Sequence, residues 1–517
     1  MTRFGVFWRA AALLCVAGMP ACAGDAAATE LVGPGSGLKG APTGPRPDPG
    51  SRTAGDRPLT VAVRGKSPVI PNLHPLSYRG GFITKTSLYE TLVRRDGSGK
   101  IVPDLAESWR IEDGGRELVL TLREDARFHD GSPVDAEAVR IHFKRWVGLP
   151  EHAWLRSSDR VREITTLSDR EIRIRFSEPT ALLPDLCAIN PCAVRAPGSL
   201  DNEGQFIRPI GSGTYRFDAW LPDDDILRLT RFKGGGPEKL DLKLFLSADE
   251  ACDALLRNEI DLLADSWFRM VPRQRIPELA QRFELSRGPG SSVVYLSFHL
   301  GQGPTTDLAL RRRIRDSIDR RSLIEQVESG FATPCLTWAA PSVTIWPASD
   351  VGQAHASSLV EAPSSPLRLL APGQAALGQA LAAQLTASGL VMELVQGSPE
   401  SQTEALEAGA YDLRIEQTWG VPYDPYISLT ARFLPEPKQG TAAEKRFFGV
   451  DPELTRLVLA ATRTADPDDL PAIYRQIQKQ IDEHVSLVPL YAPERLCVVP
   501  EGQRPPALDH DLYRLDL

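Results

Sequence analysis

Trp419, Tyr423 and Tyr426 fall close together in QTWGVPYDPY (417–426), a segment broken by Pro422 and Pro425 just after a strand-like run. Aromatic rings on a loop offer broad apolar faces with polar tips. Their natural chemistry is to enclose a solute, not to make or break bonds. Trp419 can also serve simply as packing between elements, and at this level both roles stand. Groups for covalent chemistry are harder to find. Gly65-Lys66-Ser67 lacks the upstream glycine of a phosphate-binding loop, and neither HExxH nor GxSxG occurs. The eight histidines read as surface or packing residues, not general bases. With no CxxC and no Cys/His cluster at zinc spacing, the chain is expected to hold no metal site and no cofactor of its own, and not to be an enzyme.

The elements that must carry the aromatic loop show the alternation of an α/β protein. ELVLTL sets Leu118, Leu120 and Leu122 on one face, and EIRIRF does the same with Ile172, Ile174 and Phe176. The polar turns at Asp113-Gly114-Gly115 and Ser168-Asp169 make each of them one arm of an antiparallel hairpin. Farther on, LRLL (367–370) leads into a helix with Leu377, Leu381 and Leu385 at fourfold spacing, stopped by Gly389 and followed by LVMELV. That is a βαβ unit, so parallel sheet is expected in the second half. A late helix near 468–484 carries Ile473, Ile477 and Ile481 on one stripe ahead of the strand-like LVPLY.

Composition narrows the function classes. At 517 residues the chain has room for about three domains, and 42% hydrophobic with 24% charged residues is an ordinary globular balance. A net charge of −8 gives no basic face for nucleic acid. The N-terminus differs from the rest. Arg3 and Arg9 precede an apolar stretch from Ala10 to Gly18 and then small residues around Cys22, the layout of a secretory signal over 1–22. Met19-Pro20-Ala21-Cys22 is similar to a lipobox, so acylation at Cys22 and plain cleavage near Ala21 are the two outcomes. Residues 23–57, rich in Gly and Pro, read as a tether between anchor and body. Beyond Cys15 and Cys22, five cysteines remain, an odd number. Cys187 and Cys192 either close a short disulfide or sit as two small core residues.

A family resemblance rests on ordered blocks. The segment LYETLVRRDGSGKIVPDLAESWRIEDGGRELVLTLREDARFHDGSPVDAEAV (88–139) resembles the most recognisable block of the family 5 extracytoplasmic solute-binding proteins of ABC transporters. PIGSGTYRFDAW (209–220), ALLRNEIDLLAD (254–265), LALRRRIRDSIDRRSLIEQV (308–327) and the aromatic loop continue the match in order, over about residues 60–500. The resemblance implies an α/β, two-lobed periplasmic-binding-protein-like fold with mixed sheets and a hinged cleft. It places lobe I at 58–288 with an extra subdomain at about 95–200, lobe II at 289–486, and a return segment at 487–517, with hinges near Gly288 and Val488. It implies an extracytoplasmic, membrane-anchored lipoprotein of the periplasm or cell surface, monomeric, with ABC permease subunits as partners. A ligand-sensing surface lipoprotein of the same fold is the alternative.

The loop also separates the branches of the family. Peptide-binding members resemble one another in an aspartate three residues after the tryptophan, where this chain has Pro422. TWGVPYDP and His152-Ala153-Trp154 are instead similar to the nickel-chelate branch. The resemblance therefore implies ligand-binding roles for Trp419, Tyr423, Trp154, Tyr78, Arg195 and Tyr426. It favours a metal chelate or an opine-like metallophore over a short peptide, so any metal arrives as part of the ligand. Several positions depart from that branch. Glu151 stands where an arginine is expected, Cys192 lies near a second such position with Arg195 close by, Phe82 or Ile83 replaces a methionine, and no histidine follows in FLPEPKQGTAAEKRFF. Arg195, Arg414 and Arg79 are the candidate substitutes for the missing cations.

Overall fold

The computed structural model describes residues 57–65, 70–78, 81–266, 269–349, 361–434 and 451–502. The signal segment with Cys22, the tether up to Asp56, Arg79, the stretch 435–450 and the end of the return segment from 503 lie outside the described residues.

Strand Leu59–Arg64 runs parallel to Lys239–Phe245 at the edge of a four-stranded sheet completed by Ile226–Arg231 and Tyr215–Leu221. Beside it, Arg495–Pro500 is the centre of a three-stranded antiparallel sheet, between Leu263–Ala264 and Phe283–Gly288. The second body is built on a six-stranded mixed sheet. Val294–Phe298 and Leu487–Pro493 run at its centre, flanked by Leu413–Gln417, Leu367–Leu370, Met392–Val395 and Ala332–Pro334. Leu367–Leu370 pairs in parallel with both Met392–Val395 and Leu413–Gln417, as the βαβ pattern requires. The connecting helix Ala375–Ala387 buries Leu377, Leu381 and Leu385 against the sheet. Strand Leu487–Pro493 lies in the six-stranded sheet and Arg495–Pro500 in the three-stranded one, so the returning chain changes sheets at Glu494.

Both sequence-read hairpins are present. Ala106–Glu112 pairs with Glu117–Leu122, Val161–Thr166 pairs with Glu171–Phe176, and the two hairpins join in a four-stranded antiparallel sheet. Its apolar face, with Leu118, Leu120, Ile172 and Ile174 buried, does not close on itself. One continuous apolar cluster runs from this region through Trp338, Val343 and Trp346 to Tyr423, Ile427 and Ile477. The late helix is Leu470–His484, with Ile477 and Ile481 buried and Ile473 half-buried. Cys187 and Cys192 are both free and buried, so of the two sequence alternatives the core setting holds; Cys192 Sγ donates to the Asp185 carbonyl at 3.4 Å.

Candidate functional site

Strand Leu413–Gln417 ends at the aromatic loop, and the loop is tied to the neighbouring 291–293 segment. Thr418 N–H donates to the Val293 carbonyl (2.9 Å), and Val293 N–H returns a bond to Thr418 Oγ1 (2.8 Å). Val421 N–H donates to Ser291 Oγ at 2.9 Å. Gly420 has φ +72, and a Cβ there would lie 2.6 Å from Ser291 Oγ and 2.9 Å from Ser292 N, so only glycine fits this approach. The loop then enters helix Pro425–Phe433, capped by Asp424, whose Oδ1 accepts from Tyr426 N–H at 3.1 Å.

Four of the six candidate side chains meet. The ring of Trp154 stands edge-on to Trp419 and to Tyr423, with centroids 5.2 and 5.7 Å apart, and Trp419 and Tyr423 are themselves 5.2 Å apart. Tyr78 joins from the other side of Trp154, 6.2 Å away. Its hydroxyl accepts from Trp154 Nε1 at 2.6 Å and contacts His152 Nδ1 at 2.6 Å. Burial pulls the His152 pKa down to about 4 against the opposing pull of Glu151, which leaves the ring neutral near pH 7. Trp154, Trp419 and Tyr78 are half-buried, while Tyr423 is buried.

The other two candidates lie apart from these rings. The Tyr426 hydroxyl donates to Asp185 Oδ1 at 2.6 Å, a carboxylate that also accepts from Ser157, and the ring is buried in the apolar cluster. That setting is an internal polar bridge, different from the ligand contact expected from sequence. Arg195 is buried too, with Nη1 donating to the Ala196 carbonyl at 3.1 Å. Arg414, weighed above as a substitute cation, is buried against Glu416 at 3.0 Å, and Arg432 pairs with the same carboxylate.

Sequence reasoning passed over the groups that position the site. Arg95 Nη2 meets Asp424 Oδ2 at 2.6 Å with both side chains almost wholly buried, and Tyr474 donates its hydroxyl to the other oxygen of Asp424. Lys85, fully buried, donates to the Ser77 carbonyl and to Asn190 Oδ1 (3.1 Å), which secures the segment bearing Tyr78. Burial brings the Lys85 pKa down to about 7. The one local signal was Asp424-Pro425, a helix start, which points to a cap but not to Arg95.

Chemically, this arrangement can grip a flat or apolar-faced solute with a few polar tips. Among the described residues no group of three or more His, Cys, Asp or Glu side chains could hold a metal ion. An aromatic cluster carried by a loop at a sheet's end, in a two-lobed α/β body, is the arrangement of a solute-binding protein. The family model for bacterial extracellular solute-binding proteins, family 5 Middle, matches residues 100–440, and the chain belongs to that family, whose members serve ABC importers. The nickel-binding periplasmic protein of Escherichia coli K12 is 26% identical over 450 residues, 78% of this chain and 84% of that protein. Among solved structures, NikA from Brucella suis in complex with Fe(III)-EDTA superposes with a TM-score of 0.75 at 20% identity, covering 89% of this chain and 98% of that one. An ABC transporter substrate-binding protein from Sinorhizobium meliloti reaches 0.70 at 25% identity, covering 89% and 99%. No helix among the described residues is long and apolar enough to cross a membrane.

Proposed function

We propose that this chain is a lipid-anchored binding protein that captures a small solute between Trp154 and the Trp419/Tyr423 pair and delivers it to an ABC importer. The preferred solute is a metal chelate or an opine-like metallophore, with a short peptide next. The observation that carries this reading is the ring cluster itself: residues far apart in sequence bring three aromatic faces and a Tyr–His hydrogen bond to one place. Lobe I over 58–288, lobe II over 289–486 and the return segment would then close about the two crossings, with no covalent step and no resident cofactor. TWGVPYDP, with Pro422 where an aspartate would pair a peptide's amino group, supports a chelate over a peptide. So does the relative named for nickel binding. Acylation at Cys22 would hold the body at the membrane as a monomer.

A thermal-shift panel tests the ligand class, using nickel with histidine, Fe(III)–EDTA, opine-like amino acids and short peptides. A solute at a hundred times its Kd stabilises the folded state by about 2.7 kcal/mol, enough to read. A shift with a chelate and none with peptides is the expected result; a shift with peptides alone would reverse the order of preference. For the anchor, Cys22→Ser should move the protein from the membrane to the soluble fraction.

A further inference from the structure

Away from the aromatic rings, the two proposed lobes meet along a second seam, where the hairpin subdomain of lobe I lies against lobe II. Ala181 N–H donates to the Thr462 carbonyl at 3.1 Å, Thr344 N–H donates to the Ser98 carbonyl at 3.0 Å, and Arg463 Nε meets Glu178 Oε2 at 3.0 Å. Buried in this seam, Tyr426 of lobe II, 2% exposed, sets its hydroxyl against Asp185 of lobe I, 1% exposed. Ser157, also of lobe I, donates to the other carboxyl oxygen.

The Tyr426 hydroxyl has two acceptors within reach, Asp185 Oδ1 at 2.6 Å and the Ala181 carbonyl at 3.2 Å, and one proton to give. An ionised Asp185 can only accept, so it claims that proton and the carbonyl goes without it. A protonated Asp185 gives its own proton to the phenol oxygen, which turns the phenol proton to Ala181, and all three groups are served. Charge favours the same form. Asp185 is faced from lobe II by Asp424 and the phenols of Tyr426 and Tyr474, and from lobe I by Arg160 and the thiols of Cys187 and Cys192. Arg160 is matched by Glu178 at 2.9 Å, and nearby Arg95 by Asp424 at 2.6 Å, so no cation among the described residues pairs with Asp185. Burial, helped by Asp424, raises its pKa to about 6 against the bonds from Ser157 and Tyr426.

Resting on the proposed two-lobed solute site, we infer that Asp185, with Tyr426 against it, is a proton-operated latch: protonated, it holds the lobes together around the solute, and ionised, it lets them part. Parting the lobes takes Tyr426 away and gives Asp185 to water, where it is an ordinary carboxylate with a pKa near 3.8. The closed form therefore binds the proton more tightly. Closure through this group is favoured fully below pH 3.8 and the advantage is lost as pH rises to 6. His152, whose pKa burial lowers, has the opposite sign, so the latch is read by isolating Asp185.

The test compares the full chain with its D185N and S157A variants at pH 5, 6 and 7. Small-angle scattering gives the radius of gyration without ligand, and tryptophan fluorescence follows titration with Fe(III)–EDTA. Asparagine stands in for the protonated acid, and every other titrating group acts alike on parent and variant, so their ratio reads Asp185. From pH 5 to pH 7 the parent should expand relative to D185N, and the affinity advantage of D185N should grow about tenfold. S157A takes a donor from the carboxylate, so its affinity should go on falling between pH 6 and 7, where the parent has levelled off. A D185N-to-parent ratio that stays flat in radius overturns the latch, as does a D185N that melts below the parent at pH 7, which marks a structural carboxylate. An S157A response identical to the parent overturns it without recourse to D185N. If the radius responds as expected while Fe(III)–EDTA is not bound at any pH, the latch stands and the chelate reading fails.

Discussion

At the scale of single residues, the half-buried rings of Trp154 and Trp419 are the sensitive points. Each presents a large face that a solute can cover, and neither fills the interior of a core. Trp419→Ala should weaken solute binding by about 1–3 kcal/mol, as for a desolvated aromatic anchor, with little change in melting temperature. Calorimetric titration beside a thermal melt separates the outcomes; normal binding with a much lower melt would mean that Trp419 only packs. Trp154→Phe keeps most of the ring but loses the bond from Nε1 to the Tyr78 hydroxyl, about 1 kcal/mol. A smaller loss of affinity than in Trp154→Ala is expected, and equal losses would show that the hydrogen bond governs the site. Tyr426, three residues from Tyr423, should behave differently. Tyr426→Phe strands the Asp185 and Ser157 pair inside the protein and should lower stability before it alters affinity.

At the scale of elements, Asp424 joins three of them: it ends the aromatic loop, caps helix Pro425–Phe433 and receives Arg95 from strand Val93–Arg95. Removing one partner of a buried ion pair leaves the other charged and desolvated. Asp424→Leu and Arg95→Met should therefore each cost about 3–5 kcal/mol, well beyond the roughly 1 kcal/mol of a lost cap. The double variant Arg95→Met/Asp424→Leu should recover a large part of that loss, because an apolar pair needs no desolvation to be balanced. Urea unfolding of the four proteins in this cycle checks the coupling; simple addition of the two single losses would show that the pair is not coupled. How much of this was legible varies with distance along the chain. Asp424-Pro425 reads as a helix start, and the hairpins and the βαβ unit read from their periods, because those signals are local. Arg95 and Asp424 are 329 positions apart, and Tyr426 and Asp185 are 241 apart, so no spacing rule could pair them.

At the scale of the whole molecule, the buried neutral histidines tie stability to pH. His142 and His152 have pKa values pulled to about 3 and about 4, below the 6.5 of an exposed imidazole, chiefly by burial. Between those values the unfolded chain binds more protons than the folded one, so stability is present above pH 6.5 and is lost as pH falls toward 4. Lowering pH from 7 to 5 should cost on the order of 2 kcal/mol for each of these two groups. Asp185 opposes the trend in part. Burial raises its pKa to about 6, so its contribution is full below pH 3.8 and is lost as pH rises through 6. Denaturant midpoints across pH 5–7 should fall on the acid side, and His142→Phe should flatten the profile; a flat profile in the parent would show that the histidines are not buried neutral.

Taken alone, the sequence determined the family, the α/β character and the strands around the loop, and it singled out Trp154, Trp419 and Tyr423 as candidates, because periodicity and ordered motifs are written along the chain. Only the tertiary structure decided that Tyr426 turns to Asp185, that Arg414 is spent on Glu416, and that Arg195 is buried with donors to spare. The reason is electrostatic. What a polar side chain does depends on which distant groups share its desolvated surroundings, and only the packing of remote segments creates those surroundings.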